Sequence, residues 1–210
     1  ERYGLRVLGP DCLGLMVPHI GLNASVSHVP ALSGGIAFVS QSVTVCTAVL
    51  DWARDRDIGF SHFVSLGETG DICFGDVIDF LGNDAMTRAI LLYIENVRSG
   101  RGFMSAGRGA SRNKPILVFK AGRTFEGQRV ARTIERADTD AVYDAAIRRA
   151  GMLRVAGLDD PRHLGEALQG ARMCWLWRYR VGDYRIFVQI QDQIVTVLVV
   201  GIGHRGEVYR

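Results

Sequence analysis

Four apolar runs, at residues 36–40, 60–65, 89–95 and 115–120, set the strongest limit on what this chain can fold into. They are nearly continuous in Val, Ile, Leu and Phe. A strand with one wet face would alternate; an unbroken run indicates a strand covered on both sides. Between the runs lie helical patterns at 45–54, 75–82, 102–112 and 140–150. Strands alternating with helices at this spacing predict an α/β unit built on a doubly wound parallel sheet. Ligands of such sheets sit beyond the carboxyl ends of the strands. The segments after Ser40, Ser65, Glu95 and Lys120 are therefore the places to look for chemistry.

The pattern changes after Gly157. Residues 158–170 read as a helix with Leu158, Leu164 and Leu168 on its apolar side. Three strands follow, at 176–180, 184–191 and 194–202, joined by the short connections Val181-Gly182-Asp183 and Asp192-Gln193. In the first, Trp177 and Tyr179 alternate with Arg178 and Arg180, which predicts one packed face and one positive face. A small antiparallel three-stranded meander with one helix, attached to a parallel unit, predicts a second module, with its boundary near 156–160.

Composition excludes more than it selects. A net charge of +3 is too small to argue for nucleic acid by itself. The longest apolar run, 194–202, falls far short of the roughly 20 residues a membrane helix needs, and no basic-then-apolar leader opens the chain. Cys12, Cys46, Cys73 and Cys174 are scattered without a CxxC pair, and His19, His28, His62, His163 and His204 show no HxxxH spacing. These patterns predict free thiols in a reducing compartment, no metal site and a cytoplasmic location.

The order of motifs in residues 1–157 resembles that of NDP-forming acyl-CoA synthetases and succinyl-CoA synthetase alpha chains. The stretches are Arg6-Val-Leu-Gly-Pro-Asp-Cys-Leu-Gly-Leu-Met16, Ile36-Ala-Phe-Val-Ser-Gln-Ser42, Ala48-Val-Leu-Asp-Trp-Ala-Arg54, Phe60-Ser-His-Phe-Val-Ser-Leu-Gly67, Ala89-Ile-Leu-Leu-Tyr-Ile-Glu95, Lys114-Pro-Ile-Leu-Val-Phe-Lys-Ala-Gly-Arg123 and Asp140-Ala-Val-Tyr-Asp144. The resemblance implies a flavodoxin-like domain at 32–157, preceded at 1–31 by the end of a CoA-binding Rossmann domain and a linker. It implies phosphoryl relay from an acyl phosphate through a histidine to ADP or GDP. It also implies CoA and ATP/ADP as cofactors, none bound tightly, and an ATP-grasp ligase partner. Ser40, Gln41 and Ser42 match the phosphate/CoA-binding turn, where a helix N-terminus would hold the anion. Glu95 matches the carboxylate that orients the phosphorylated histidine.

Residues 159–210 resemble the second half of bacterial RelE/ParE-superfamily toxins, closest to the RelE branch. Here the stretches are Asp160-Pro-Arg-His-Leu-Gly-Glu-Ala-Leu168, Leu176-Trp-Arg-Tyr-Arg-Val-Gly-Asp-Tyr-Arg-Ile186 and Val199-Val-Gly-Ile-Gly-His-Arg-Gly-Glu-Val-Tyr209. That family cuts mRNA on the ribosome and is paired with an antitoxin. Arg178, Arg180, Arg185, Arg205 and Tyr209 match its catalytic positions, where arginine forks hold phosphate.

Departures from the first pattern bear directly on activity. The loop at 124–139 contains no histidine; Arg132 or Ile134 falls where the phosphoacceptor stands in the family. Neither can accept a phosphoryl group. Val43 replaces the usual glycine of the phosphate turn, and Asp11 replaces the usual asparagine. Three readings follow: an acyl-CoA ligase domain without turnover, an RNA-cleaving toxin with an incomplete scaffold, and a fusion product without activity.

Overall fold

The computed structural model describes residues 4–121 and 139–155, and beyond them the strand residues 166–167, 176–181, 184–191 and 196–204. A hairpin of β1 (Gly14–Val17) and β2 (Leu22–Ser25) comes first. Then follow β3 (Leu32–Ser40), α1 (Val43–Arg54), β4 (Gly59–Ser65), α2 (Phe74–Asn83), β5 (Ala89–Ile94), α3 (Gly100–Ala110), β6 (Ile116–Lys120), α4 (Thr139–Arg149) and β7 (Leu153–Val155). They build one sheet in the order β2-β1-β4-β3-β5-β6-β7.

From β4 to β7 across the sheet every pairing is parallel. Numbered along the chain, those strands run 2-1-3-4-5, the flavodoxin-like order, which reverses direction between β3 and β5. The expected α/β class is therefore observed, and the crevice for a ligand lies beyond Ser40 and Ile94. The β1–β2 hairpin, within the stretch 1–31 that the resemblance assigns to the end of a CoA-binding domain and a linker, extends the sheet through the antiparallel pairing of β1 with β4. The apolar periodicity does not predict strand β7. Its three residues, with the buried Arg154 at the centre, carry too little apolar signal to be recognised as a strand.

Pleating sends alternate side chains to two different cores. On one side Ala37, Val39, Ile90, Leu92, Ile94 and Val118 meet Ile78 and Leu81 of α2, Phe103 of α3 and Ile147 of α4. On the other, Phe38, Phe60 and Phe63 meet Cys46, Leu50 and Ala53, the i, i+4, i+7 stripe of α1. Phe63 stacks on Phe38 at 5.0 Å and meets Phe60 edge-on at 5.1 Å. Burying each such side chain stabilises the fold by about 1.5–3 kcal/mol. Gly34 and Gly59 let β3 and β4 approach so closely that a side chain on either would strike the other strand's backbone, and the pairing register shifts there.

The remaining strands form a second sheet, β11-β10-β9-β8, from β8 (Glu166–Ala167), β9 (Leu176–Val181), β10 (Tyr184–Gln191) and β11 (Thr196–His204). All its pairings are antiparallel. The expected meander is present, with one correction. Glu166 and Ala167, placed by sequence in a helix, pair as a strand with Arg178 and Trp177. The open edge of β9 offers unpaired backbone groups, and satisfying them outweighs the local helical pattern. The rest of 158–170 lies outside the described residues, as do the connections at 182–183 and 192–195. No helix among the described residues is long and apolar enough to cross a membrane.

One buried polar group sits apart from the crevice. His62, only 7% exposed, places Nδ1 3.6 Å from Asp84 Oδ2 and packs edge-on against Phe80. Burial is the largest influence and lowers its pKa from 6.5; Asp84 opposes this, while His19 and Lys114 reinforce it. The unfolded chain therefore takes up this proton first, so stability is full above about pH 6.5 and falls as pH drops below it. The thermal midpoint is expected to decrease from pH 7 to pH 5, and the decrease should shrink in His62→Gln. An equal decrease in the variant would rule His62 out as its source.

Candidate functional site: the crevice beyond β3 and β5

The turn after β3 is built by its own side chains. Ser42 caps α1, its hydroxyl accepting from Val45 N at 3.4 Å. The buried Ser40 hydroxyl accepts from Ser42 N at 3.0 Å and donates to Ser42 O at 3.1 Å. Ser40 is thus committed within the turn, leaving Ser42 and the first turn of α1 as the part facing the crevice. Val43, the first residue of α1, is 39% exposed.

Gln41 is 6% exposed and reaches across to the end of β5. Its Oε1 accepts from Glu95 N at 2.8 Å and from Asn96 N at 3.0 Å, and its Nε2 donates to Asn96 Oδ1 at 3.4 Å. Glu95 is the first residue beyond β5 and is exposed. The structure therefore brings Ser42, Gln41 and Glu95 together at the topological switch point. The hydrogen bonds of Gln41 run to the loop that carries Glu95.

A second group closes the far side. Tyr143 of α4 accepts from Val97 N at 3.0 Å, and Lys120 Nζ lies 4.8 Å over its ring. Burial pushes the Lys120 ammonium below its ordinary range; Asp140 and Glu95 act against this, and Arg154 acts with it. Arg154 is buried and binds Asp140, with Asp144 at 3.8 Å. Lys120, Tyr143 and Arg154 were not singled out from sequence, although two of them fall in motifs quoted for the family resemblance. Burial and distant pairing, which give them their place, leave no local signature.

Loop 66–70 frames the crevice from the β4 side. Glu68 N donates to Pro10 O at 3.0 Å, Gly70 N to Gly9 O at 2.9 Å and Ile72 N to Val7 O at 3.2 Å. The buried Ser65 hydroxyl accepts from Leu13 N at 2.9 Å. Asp11 has a φ of 52°, a conformation that asparagine and aspartate adopt more readily than most residues. The exchange from asparagine thus preserves the backbone while adding charge.

A separate apolar cleft of about 340 Å³ opens between β1, β4 and α2, lined by Leu15, Val17, His62, Val77 and Phe80 among others. Ser40, Gln41, Ser42 and Glu95 are not part of it. Among the described residues no group of three or more His, Cys, Asp and Glu could hold a metal ion.

In the second sheet, Arg180 is opposite Arg185, and Arg178 opposite Phe187. By this register Arg178, Arg180 and Arg185 belong to one sheet face. Arg205 and Tyr209 lie outside the described residues.

Two known families match parts of the chain. Residues 33–168 match the family described as succinyl-CoA ligase like flavodoxin domain. Residues 128–209 match the family described as ParE toxin of type II toxin–antitoxin system. The two matches overlap over 128–168. The chain is 38% identical over 162 residues to acetate–CoA ligase [ADP-forming] I of Archaeoglobus fulgidus, covering 76% of this chain and 24% of that protein. It is 39% identical over 174 residues to the alpha subunit of acetate–CoA ligase [ADP-forming] I of Pyrococcus furiosus, covering 82% of this chain and 36% of the subunit. Among solved structures, acetyl-coenzyme A synthetase 1 of Ca. Korarchaeum cryptofilum, in complex with phosphate and ADP, superposes with a TM-score of 0.69 at 35% identity, covering 76% of this chain and 35% of that one. The chain thus spans between about a quarter and just over a third of the length of these relatives.

Proposed function

The chain belongs to the succinyl-CoA ligase-like flavodoxin domain family, and on that premise we propose that residues 32–157 are the acyl-phosphate-handling unit of an ADP-forming acyl-CoA ligase whose phosphoryl relay is interrupted. The convergence of Ser42, Gln41 and Glu95 at the β3/β5 switch point carries this reading. A helix start on one side, with its partial positive charge, suits a phosphate. A carboxylate on the other suits the imidazole of a phosphohistidine. The acceptor itself is missing, because 124–139 supplies no histidine.

In this reading Ser40 shapes the turn, Gln41 fixes the Glu95 loop, and Ser42 with the start of α1 forms the phosphate subsite. CoA and ATP/ADP belong to the reaction through other domains, bound only transiently, and an ATP-grasp subunit or domain is the partner. Residues 1–31 then correspond to the end of the CoA-binding domain and its linker, and the setting is cytoplasmic. Assaying phosphoryl transfer to the chain tests the reading.

A second reading rests on the ParE toxin match and the register of the arginines. Residues 158–210 would be a RelE-type mRNA endonuclease half whose supporting elements are incomplete, with RNA, the ribosome and an antitoxin as partners. Arg178, Arg180, Arg185, Arg205 and Tyr209 would form its site. A phosphate-holding arginine cluster binds RNA with an affinity that falls steeply as salt rises. Weak RNA binding, reduced on the order of twentyfold between 50 and 200 mM salt as expected for about three phosphate contacts, is the expected outcome, and Arg185→Ala should weaken it further. Growth arrest on induction that is lost in Arg185→Ala would make the toxin the principal function. Binding indifferent to salt and to Arg185 would remove this reading.

A further inference from the structure

We propose that Gln41 and Tyr143 are a pair of positioning residues that clamp the β5–α3 loop from opposite sides and thereby fix the direction in which Glu95 presents its carboxylate. The proposal rests on the reading of Glu95 as the orienting carboxylate of the phosphate site.

Successive N–H groups at the end of a strand form a small concavity that attracts an anion or a carbonyl oxygen. Here the N–H groups of Glu95, Asn96 and Val97 follow one another directly beyond β5. The first two converge on Gln41 Oε1, at 2.8 and 3.0 Å, and the third reaches Tyr143 Oη at 3.0 Å. The carboxamide oxygen of Gln41 thus occupies the position an anion oxygen would take.

Both side chains are themselves held. Gln41 is 6% exposed, with its own N–H donating to Tyr93 O at 3.3 Å and its Nε2 to Asn96 Oδ1 at 3.4 Å. Tyr143 is half-buried against the core and sits beneath the Lys120 ammonium. Gln41 precedes α1 and Tyr143 belongs to α4, so the loop is gripped by elements that flank it in space but lie 54 and 46 residues away in sequence. With all three N–H groups taken, the backbone at Glu95 has little freedom, and the exposed carboxylate points from a fixed base.

Residue-resolved amide hydrogen exchange on the intact chain tests this. Protection at Glu95, Asn96 and Val97 is expected in the wild type. Gln41→Ala should speed exchange at Glu95 and Asn96 at least tenfold while leaving Val97 protected. Tyr143→Phe should do the reverse. Gln41→Glu, which keeps an acceptor oxygen, should restore protection above its carboxyl pKa. The side-chain carboxyl resonance of Glu95 should shift in Gln41→Ala and return in Gln41→Glu. Unchanged exchange in both Gln41→Ala and Tyr143→Phe would overturn the clamp, as would uniform loss of protection across β5 in Tyr143→Phe. Titration with inorganic phosphate separates the two levels. If the Ser42 and Val43 amides do not respond to it, the phosphate-site reading fails, while the exchange pattern still decides the clamp.

Discussion

Gly67→Ala is expected to destabilise the parallel α/β unit by about 3 kcal/mol, summing a left-handed backbone penalty of roughly 1–2 kcal/mol and a packing overlap of roughly 1–3 kcal/mol. Gly67 has a φ of 58°. A methyl group there would stand 2.7 Å from Asp11 O and nearer still to Pro10 O. Neither neighbour is a movable side chain. The two loops are joined by hydrogen bonds from Glu68 N to Pro10 O and from Gly70 N to Gly9 O, so relieving the overlap means breaking that seam. Because the same loop frames the crevice, the loss of stability should come with altered shifts at Cys12 and Leu13. Gly109→Ala is the matched control: it lies within α3, with nothing near the added methyl, and should stabilise by about 0.5–1 kcal/mol. Urea midpoints followed by circular dichroism measure both. A Gly67→Ala variant as stable as the wild type would mean that the two loops are not in contact as described.

How far the sequence could be read depended on whether the determining contacts were local. Strands β3 to β6 announced themselves because each carries a nearly continuous apolar run that lies largely buried or half-buried in the sheet. α1 was equally legible, with Cys46, Leu50 and Ala53 on one stripe and Ser42 before them. The β1–β2 hairpin was not, since its two strands are four residues each, with Gly14 and Gly21 in left-handed conformations that blur any period. Glu166 and Ala167 took strand form through pairing with β9, a contact no local pattern encodes.

At the site, the strand ends marked the segments after Ser40 and Glu95, and the motif resemblance singled out Ser42 and Glu95 within them. The behaviour of Gln41 did not. In sequence it looks like one more polar residue of a phosphate turn, and only the approach of β5 from 54 residues away turns its carboxamide toward Glu95 and Asn96. Tyr143 was hidden for the same reason. The pH response of His62 depends on its burial beside Asp84, which a lone histidine in an apolar strand does not reveal.

Phosphoryl transfer to this chain is expected to be absent, a complete loss relative to an intact relative. A phosphoryl acceptor must carry a nucleophilic atom within reach of the crevice, and histidine provides it in this chemistry. Arg132 stays protonated and Ile134 offers no such atom. Of the other histidines whose surroundings are described, His62 is buried against Asp84 and Phe80, His28 pairs with Asp51 at 3.2 Å, and the exposed His19 meets the His62 ring edge-on at 5.8 Å. On the proposed reading, the branched side chain of Val43 would also hinder the close backbone approach to an anion that a glycine admits. On the same reading, the carboxylate of Glu95 would not compensate, because orientation contributes only when there is a nucleophile to orient.

The most direct measurement is incubation of the intact chain with radiolabelled ATP and the ATP-grasp subunit of a relative, and separately with labelled acetyl phosphate, using that relative's intact alpha subunit as the positive control. The proposed function predicts label on the control and none on this chain. Acid-labile, base-stable label on any histidine of this chain would contradict it and would place the phosphoryl acceptor outside the 124–139 loop.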